Sequence, residues 1–289
     1  MILDTIARSA GKRVEQRKQV KSLEQMMKAA CECREREGIK GDAIKRAGIK
    51  RENGTNEVHP FKAALSKPGV SFICEVKKAS PSKGLIAPDF PYVEIARQYQ
   101  EAGADAVSVL TEPEFFLGAD RYLEEIHREI ELPLLRKDFI VDEYQIYEAK
   151  VLGASAVLLI CSLMDMEKLK RYMGICGRLG LSSLVEAHTD REVAMAAEAG
   201  AHIIGINNRN LGSFVTNIEN SFRIAEELKN AVAEIDFQTP PLLVSESGIS
   251  HPETIRELRS AGFRGFLMGE TFMRTDDPGS TLKELIQGI

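Results

Sequence analysis

From residue 72 to the end of the chain, short apolar runs alternate with stretches of helical periodicity. Eight apolar runs stand out, at 72–76, 106–110, 132–135, 156–160, 183–185, 202–206, 242–244 and 265–268. Between them, apolar positions three and four apart predict helices over 92–102, 120–130, 143–152, 166–179, 191–199, 218–229 and 252–261. A last helix is predicted over 280–287. Strand then helix, eight times over, predicts an α/β fold with a parallel sheet covered by helices.

A recurrent phrase marks the repeat: Glu101-Ala-Gly-Ala-Asp-Ala-Val, Val151-Leu-Gly-Ala-Ser-Ala-Val, Glu198-Ala-Gly-Ala-His-Ile-Ile and Arg259-Ser-Ala-Gly-Phe-Arg-Gly. Each glycine falls where a helix stops and the chain turns back towards the next strand. Eight such units predict a closed (β/α)8 barrel. The alternative, an open doubly wound sheet, is disfavoured because no GxGxxG follows the first strand.

Residues 1–60 read differently. The stretch 2–37 is rich in the good helix formers Lys, Arg, Glu, Gln, Met and Ala, and the text from 38 to 60 is polar and loop-like. The expected organisation is an N-terminal helical extension, 1–60, packed on a barrel, 61–289.

In such barrels the chemistry collects at the C-terminal ends of the strands. Side chains on a strand alternate faces, so parity can be read from the text. Ile73, Glu75 and Lys77 share a face, as do Leu135 and Lys137, Leu184 and Glu186, and Val244 and Glu246. If the apolar members point into the barrel, two ammonium groups and three carboxylates converge on its mouth. Buried charges are expensive unless paired, so a set of five with common parity points to a site. Arg136 and Asp138, of opposite parity, are expected to hold neighbouring helices or loops, and His188 to have a capping or structural role. Loops after the last two strands carry Ser245-Glu-Ser-Gly248 and Met268-Gly269-Glu270. A short helix is expected after strand eight, in the place where such barrels bind phosphate.

Composition removes several classes. With 38 Lys+Arg against 43 Asp+Glu the net charge is −5, which argues against a nucleic-acid binder. No apolar run approaches the roughly 20 residues that span a bilayer, and no membrane association is expected. Five cysteines without framework spacing, and an N-terminus without an apolar leader, predict a cytoplasmic protein. Cys31-Glu-Cys33 has no second pair and the five histidines have no ligand spacing, so no metal site is expected. Oligomeric state is not readable.

At its motifs the sequence resembles the indole-3-glycerol-phosphate synthases. The carrying segments are Cys74-Glu-Val-Lys-Lys-Ala-Ser-Pro-Ser-Lys-Gly84, Leu135-Arg-Lys-Asp-Phe-Ile140, Val185-Glu186, Gly205-Ile-Asn-Asn-Arg-Asn-Leu211 and Val244-Ser-Glu-Ser-Gly-Ile249. The resemblance implies a (β/α)8 barrel acting on a sugar phosphate, 1-(2-carboxyphenylamino)-1-deoxyribulose 5-phosphate. Ring closure, decarboxylation and dehydration would yield indole-3-glycerol phosphate, with no organic cofactor or metal. It implies Lys137 as general acid for ring closure, Lys77 on the substrate carboxylate or as acid in dehydration, and Glu186 and Glu75 as the candidate bases, without dividing the steps between the lysines or the glutamates. Asn207 and Glu246 would orient hydroxyls or lysines. Arg209 with the backbone at Ser247, Gly248, Gly269 and Glu270 would hold the phosphate, the Glu270 side chain turning away. Ser80, Pro81 and Phe139 would line the aryl pocket. Two other readings remain at this point. A phosphate-binding barrel isomerase or Schiff-base aldolase is one, and a non-catalytic barrel scaffold is the other.

Overall fold

A computed structural model describes residues 2–44, 59–210, 212–232 and 240–289. Eight parallel strands close on themselves. They are β1 (Ser71–Val76), β2 (Ala106–Leu110), β3 (Leu134–Lys137), β4 (Ala156–Ile160), β5 (Ser182–Ala187), β6 (Ile203–Asn207), β7 (Leu242–Glu246) and β8 (Gly265–Met268). Each strand pairs with its sequence neighbours and β1 pairs with β8, which makes the closed (β/α)8 barrel expected from the repeat.

Two interiors follow from strand alternation. Ile73, Ala106, Leu135, Leu158, Leu184, Ile203, Val244 and Leu267 fill the barrel. The opposite faces, with Cys74, Val107, Val157, Val185, Ile204 and Phe266, pack under the helices. The glycines of the repeated phrase take the expected left-handed turn, with φ of 96° at Gly103, 91° at Gly153, 82° at Gly200 and 114° at Gly262.

Some elements depart from the sequence reading. β3 begins at Leu134, because Pro133 has no N–H to offer the ladder, and it runs on to Lys137. The stretch 2–37 forms two helices, α1 (Ile2–Val20) and α2 (Leu23–Ile44). The break falls at Lys21–Ser22, where Ser22 and Gln25 cap one another: Gln25 N–H donates to Ser22 Oγ and Ser22 N–H to Gln25 Oε1. Helix therefore continues through part of the segment read as loop from 38 onward, and 45–58 lie outside the described residues.

A further short helix, α3 (Pro60–Leu65), inserts Phe61 and Leu65 among the barrel-filling side chains. α1 buries Ile6, Ala10 and Val14, and α2 buries Met26 and Ala30. Between α1 and the barrel lies a network of charges. Arg136 on β3 is fully buried and donates to Glu148, Asp120 and the Gln145 carbonyl at 2.8, 3.0 and 3.0 Å. Arg17 of α1 pairs with the same Glu148 and Asp120. That is the outward, helix-holding place that parity assigns to Arg136.

Candidate active site

Because β5 reaches Ala187 and β7 reaches Glu246, the carboxylates read as lying at strand ends belong to the strands, and the ladder fixes their height. Glu186 pairs with Gly205 across β5 and β6, and Asn207 pairs with Glu246 across β6 and β7. Gly205 has no side chain between its neighbours, and a Cβ there would collide with Glu246 Oε1. The two carboxyl groups therefore meet over β6.

Lys137, at the end of β3, points into the same space. Its Nζ lies 3.5 Å from Glu186 Oε2 and 3.6 Å from Glu246 Oε2. Burial alone would favour the neutral amine, but Glu186, Glu246 and Glu75 outweigh it and hold Lys137 firmly protonated. Burial pushes Glu246 up to about 8, and the Glu186 carboxylate beside it adds to the rise. Glu186 goes the other way. Its burial is outweighed by Lys137 and by His188, and it stays below the usual carboxylate value. The pair thus holds one proton near neutral pH, on the Glu246 side.

His188 sits behind this pair, its Nε2 3.5 Å from Glu186 Oε1 and its Nδ1 3.7 Å from Glu192 Oε2. Burial lowers its basicity, and the Glu192 and Glu186 carboxylates raise it more. Asn207 completes the arrangement. Its Oδ1 accepts from Ser247 Oγ and from the Arg209 N–H, both at 3.0 Å, which turns the amide towards Glu186.

Across the mouth, Lys77 pairs with Glu75. Glu75 is buried, yet Lys77 and Lys137 keep it ionised below its usual value. Gly269 makes room for it, since a Cβ there would lie 2.6 Å from Glu75 Oε1. That is a packing reason for this glycine, additional to the anion approach read from the sequence.

On the apolar side, Phe116 and Phe139 face one another with ring centroids 6.0 Å apart. Leu110, Leu158 and Ile160 line the same pocket, as do Ser80 and Pro81 from the loop after β1. Ser247 and Gly248 take left-handed backbone angles, φ 68° and 80°, that turn the chain sharply after β7.

The structure places all the sequence-nominated residues on the wall of this pocket. One expectation fails. The Glu270 carboxylate does not turn away. It accepts from Arg209 at 2.9 Å and lies 3.3 Å from Lys83 and 2.8 Å from Arg274. Three nearby cations hold it towards the pocket. They outweigh its partial burial, and it sits below the usual carboxylate value.

Several lining residues were missed. Leu110, Leu158 and Ile160 have the inward parity and could have been found by extending the parity rule to apolar positions. Phe116 follows β2 in a Phe-Phe pair, a signal too common to single out. Phe214 enters from the loop after β6 with φ 59°, and local sequence carries no signal for it. Leu211, quoted in one motif, lies outside the described residues.

Paired ammonium and carboxylate groups, an apolar wall and a cationic corner at a barrel mouth define a (β/α)8-barrel enzyme of acid–base chemistry on an anionic, partly aromatic substrate. Comparison with known proteins makes this particular. The indole-3-glycerol phosphate synthase family model matches residues 3–285, and the chain belongs to that family.

The chain is 44% identical over 285 residues to the indole-3-glycerol phosphate synthase of Lachnoclostridium phytofermentans, covering 99% of this chain and 98% of the relative. It is 51% identical over 225 residues to that of Ruminiclostridium cellulolyticum, covering 78% and 83%. Among solved structures, a 3-hexulose-6-phosphate synthase superposes with TM-score 0.60 at 13% identity, covering 76% of this chain and all of that one. The KGPDC of Streptococcus mutans superposes with TM-score 0.57 at 11% identity, covering 76% and 97%. At those identities the structures speak for the fold alone. Family membership removes the isomerase, aldolase and scaffold readings.

Proposed function

We propose that the barrel mouth closes the indole ring of 1-(2-carboxyphenylamino)-1-deoxyribulose 5-phosphate, with the steps divided among the residues above. The enzyme is a carboxy-lyase of tryptophan biosynthesis. The aryl ring lies against Phe116, Phe139 and Pro81, and Lys77 meets its carboxylate. Lys137 gives a proton to the ketone oxygen as the aryl carbon bearing the carboxylate attacks the carbonyl carbon. The resulting iminium on the aniline nitrogen takes the electron pair released when CO2 leaves. Dehydration then needs a base for the ring proton, which is Glu186, and an acid for the departing hydroxyl. Glu75 holds Lys77 for that work. The extension 1–60 and the barrel 61–289 act as one enzyme, and we place it in the cytoplasm.

The observation that carries this reading is Lys137 set between Glu186 and Glu246 beside an aromatic wall. A Schiff-base aldolase would need a neutral amine, whereas three carboxylates hold Lys137 protonated. The test is to mix the protein with the substrate, without added metal or cofactor, and follow indole fluorescence. The chain contains no Trp, so the background is low. Product formation is expected, and a folded sample that makes none overturns the reading.

The cationic corner yields a second expectation. Arg209 and Lys83 are held by Glu270, so a phosphate group must compete with that carboxylate for them. Glu270→Gln is expected to tighten binding of inorganic phosphate by about fivefold, the upper range for a partly exposed ion pair. Isothermal titration would measure it. Unchanged or weaker binding would show that Glu270 organises the corner instead of competing for it.

A further inference from the structure

α1 packs Ile6 and Ala10 in the cluster that holds Phe139, and it sends one cation towards the pocket wall. Arg13 is mostly buried and extends from α1 between two carboxylates that follow β2 and β3. Its Nη1 lies 3.1 Å from Glu112 Oε1, and its Nη2 lies 3.8 Å from Asp138 Oδ1. Neither carboxylate is a surface charge, for Glu112 is fully buried and Asp138 nearly so.

Each of them holds the backbone of a pocket phenylalanine. Glu112 Oε2 accepts from the N–H groups of Phe115 and Phe116 at 2.7 and 3.1 Å, and Oε1 accepts from Glu114 N–H at 3.2 Å. Asp138 Oδ1 accepts from Phe139 N–H at 2.8 Å, and its Oδ2 from Thr111 Oγ1 at 2.8 Å. Phe116 and Phe139 are the two rings of the aromatic wall.

We propose that Arg13 is a positioning residue: the N-terminal helix sets the spacing of the aromatic wall by clamping the two carboxylates that hold Phe116 and Phe139. Two buried carboxylates reached by one side chain repel unless cations lie beside them. With Arg13 in place both keep their backbone donors. Without it Asp138 still has Arg136 3.4 Å away, so the larger loss falls on Glu112, which turns towards water and releases the backbone that carries Phe116. Pocket geometry is sensitive to shifts of an ångström, so the loss falls on recognition of the aryl ring. The extension thereby contributes to the site without touching substrate. Ser9 steadies the guanidinium from the same helix, accepting from Arg13 Nη1 at 3.0 Å.

The inference rests on the reading that this pocket takes an aryl substrate. The experiment compares the full-length chain with Arg13→Gln and Arg13→Lys, below the melting temperature of each. Three quantities are measured: KM and kcat for carboxyphenylamino-deoxyribulose phosphate, and affinity for inorganic phosphate. For Arg13→Gln a KM increase of about tenfold is expected, with kcat changed less and phosphate affinity unchanged. Arg13→Lys should recover part of the loss. Combining Arg13→Gln with Phe116→Leu should give less than the product of the single effects, because both act on one wall. If KM is unchanged, or KM and phosphate affinity worsen together, the inference is overturned. An unmodified chain that makes no product overturns the reading beneath it instead.

Discussion

Replacing Lys137 by methionine is expected to leave a folded barrel whose kcat is lower by roughly 10²- to 10⁴-fold, the range of a positioned general acid. Two losses combine. The proton donor to the ketone disappears. So does the cation that, with His188, keeps Glu186 ionised, and Glu186 then holds a proton when it should accept one. Lys137→Arg separates the two effects. It keeps a charge beside Glu186 and Glu246, but a guanidinium does not give up its proton near neutral pH.

If proton donation is the main contribution, both variants are nearly inactive. If charge alone matters, arginine restores most of the rate. Steady-state indole fluorescence measures both, and a melting curve checks the fold. Lys137→Met with more than a tenth of the original kcat would remove Lys137 from the role of acid. The melting temperature is expected to fall, because removing one partner of a buried ion pair costs roughly 3–5 kcal/mol, part of it recovered when Glu186 takes up a proton.

The sequence showed Lys137 clearly and the reason for its state only in part. Parity along β1, β3, β5 and β7 is a local property, so the convergence of Glu75, Lys77, Lys137, Glu186 and Glu246 could be read from the text. Which carboxylate keeps a proton could not. That depends on His188 lying 3.5 Å from Glu186, and on Gly205 letting Glu246 cross β6 to meet it. Both are facts about adjacent strands and are invisible along one.

Glu270 shows the same limit. A carboxylate beside a phosphate loop reads as misplaced until Arg209, Lys83 and Arg274 arrive from separate segments. Arg13 was unreadable for a related reason. On α1 it is one of many charges, and only the docked helix shows that Glu112 and Asp138 face it. The eight-fold alternation survived because each strand and helix carries its own periodicity. The break at Ser22 did not stand out, because Ser22 is a single weaker helix former amid a run of strong ones.

The proton on Glu246 has a consequence for stability that a single substitution exposes. In the unfolded chain this glutamate loses its proton near the ordinary 4.5, whereas in the folded barrel burial and Glu186 hold the proton up to about 8. Between those two values the folded state binds one more proton than the unfolded state, so this group makes stability fall as pH rises. The slope is about 1.4 kcal/mol per pH unit for one full proton, and it vanishes above pH 8, where both states have released it.

Glu246→Gln keeps the shape and the neutral charge of the protonated side chain and removes the titration. The variant is expected to match the original chain near pH 5 and to exceed it progressively towards pH 8.5. Urea unfolding at pH 5.5, 7 and 8.5 measures the difference. His188 also titrates in this window, with its folded value raised above the ordinary 6.5, so its stabilising contribution is likewise lost as pH rises. It is present in both proteins, and the comparison largely cancels it. A gap between variant and original that stays constant with pH would show that Glu246 is ionised in the folded barrel. Glu246 and Glu186 would then both be charged against Lys137, and Glu246 would orient the lysine as a carboxylate. A gap that widens with pH instead leaves a protonated Glu246 opposite an ionised Glu186, which keeps Glu186 available as the base while Lys77 serves as the acid.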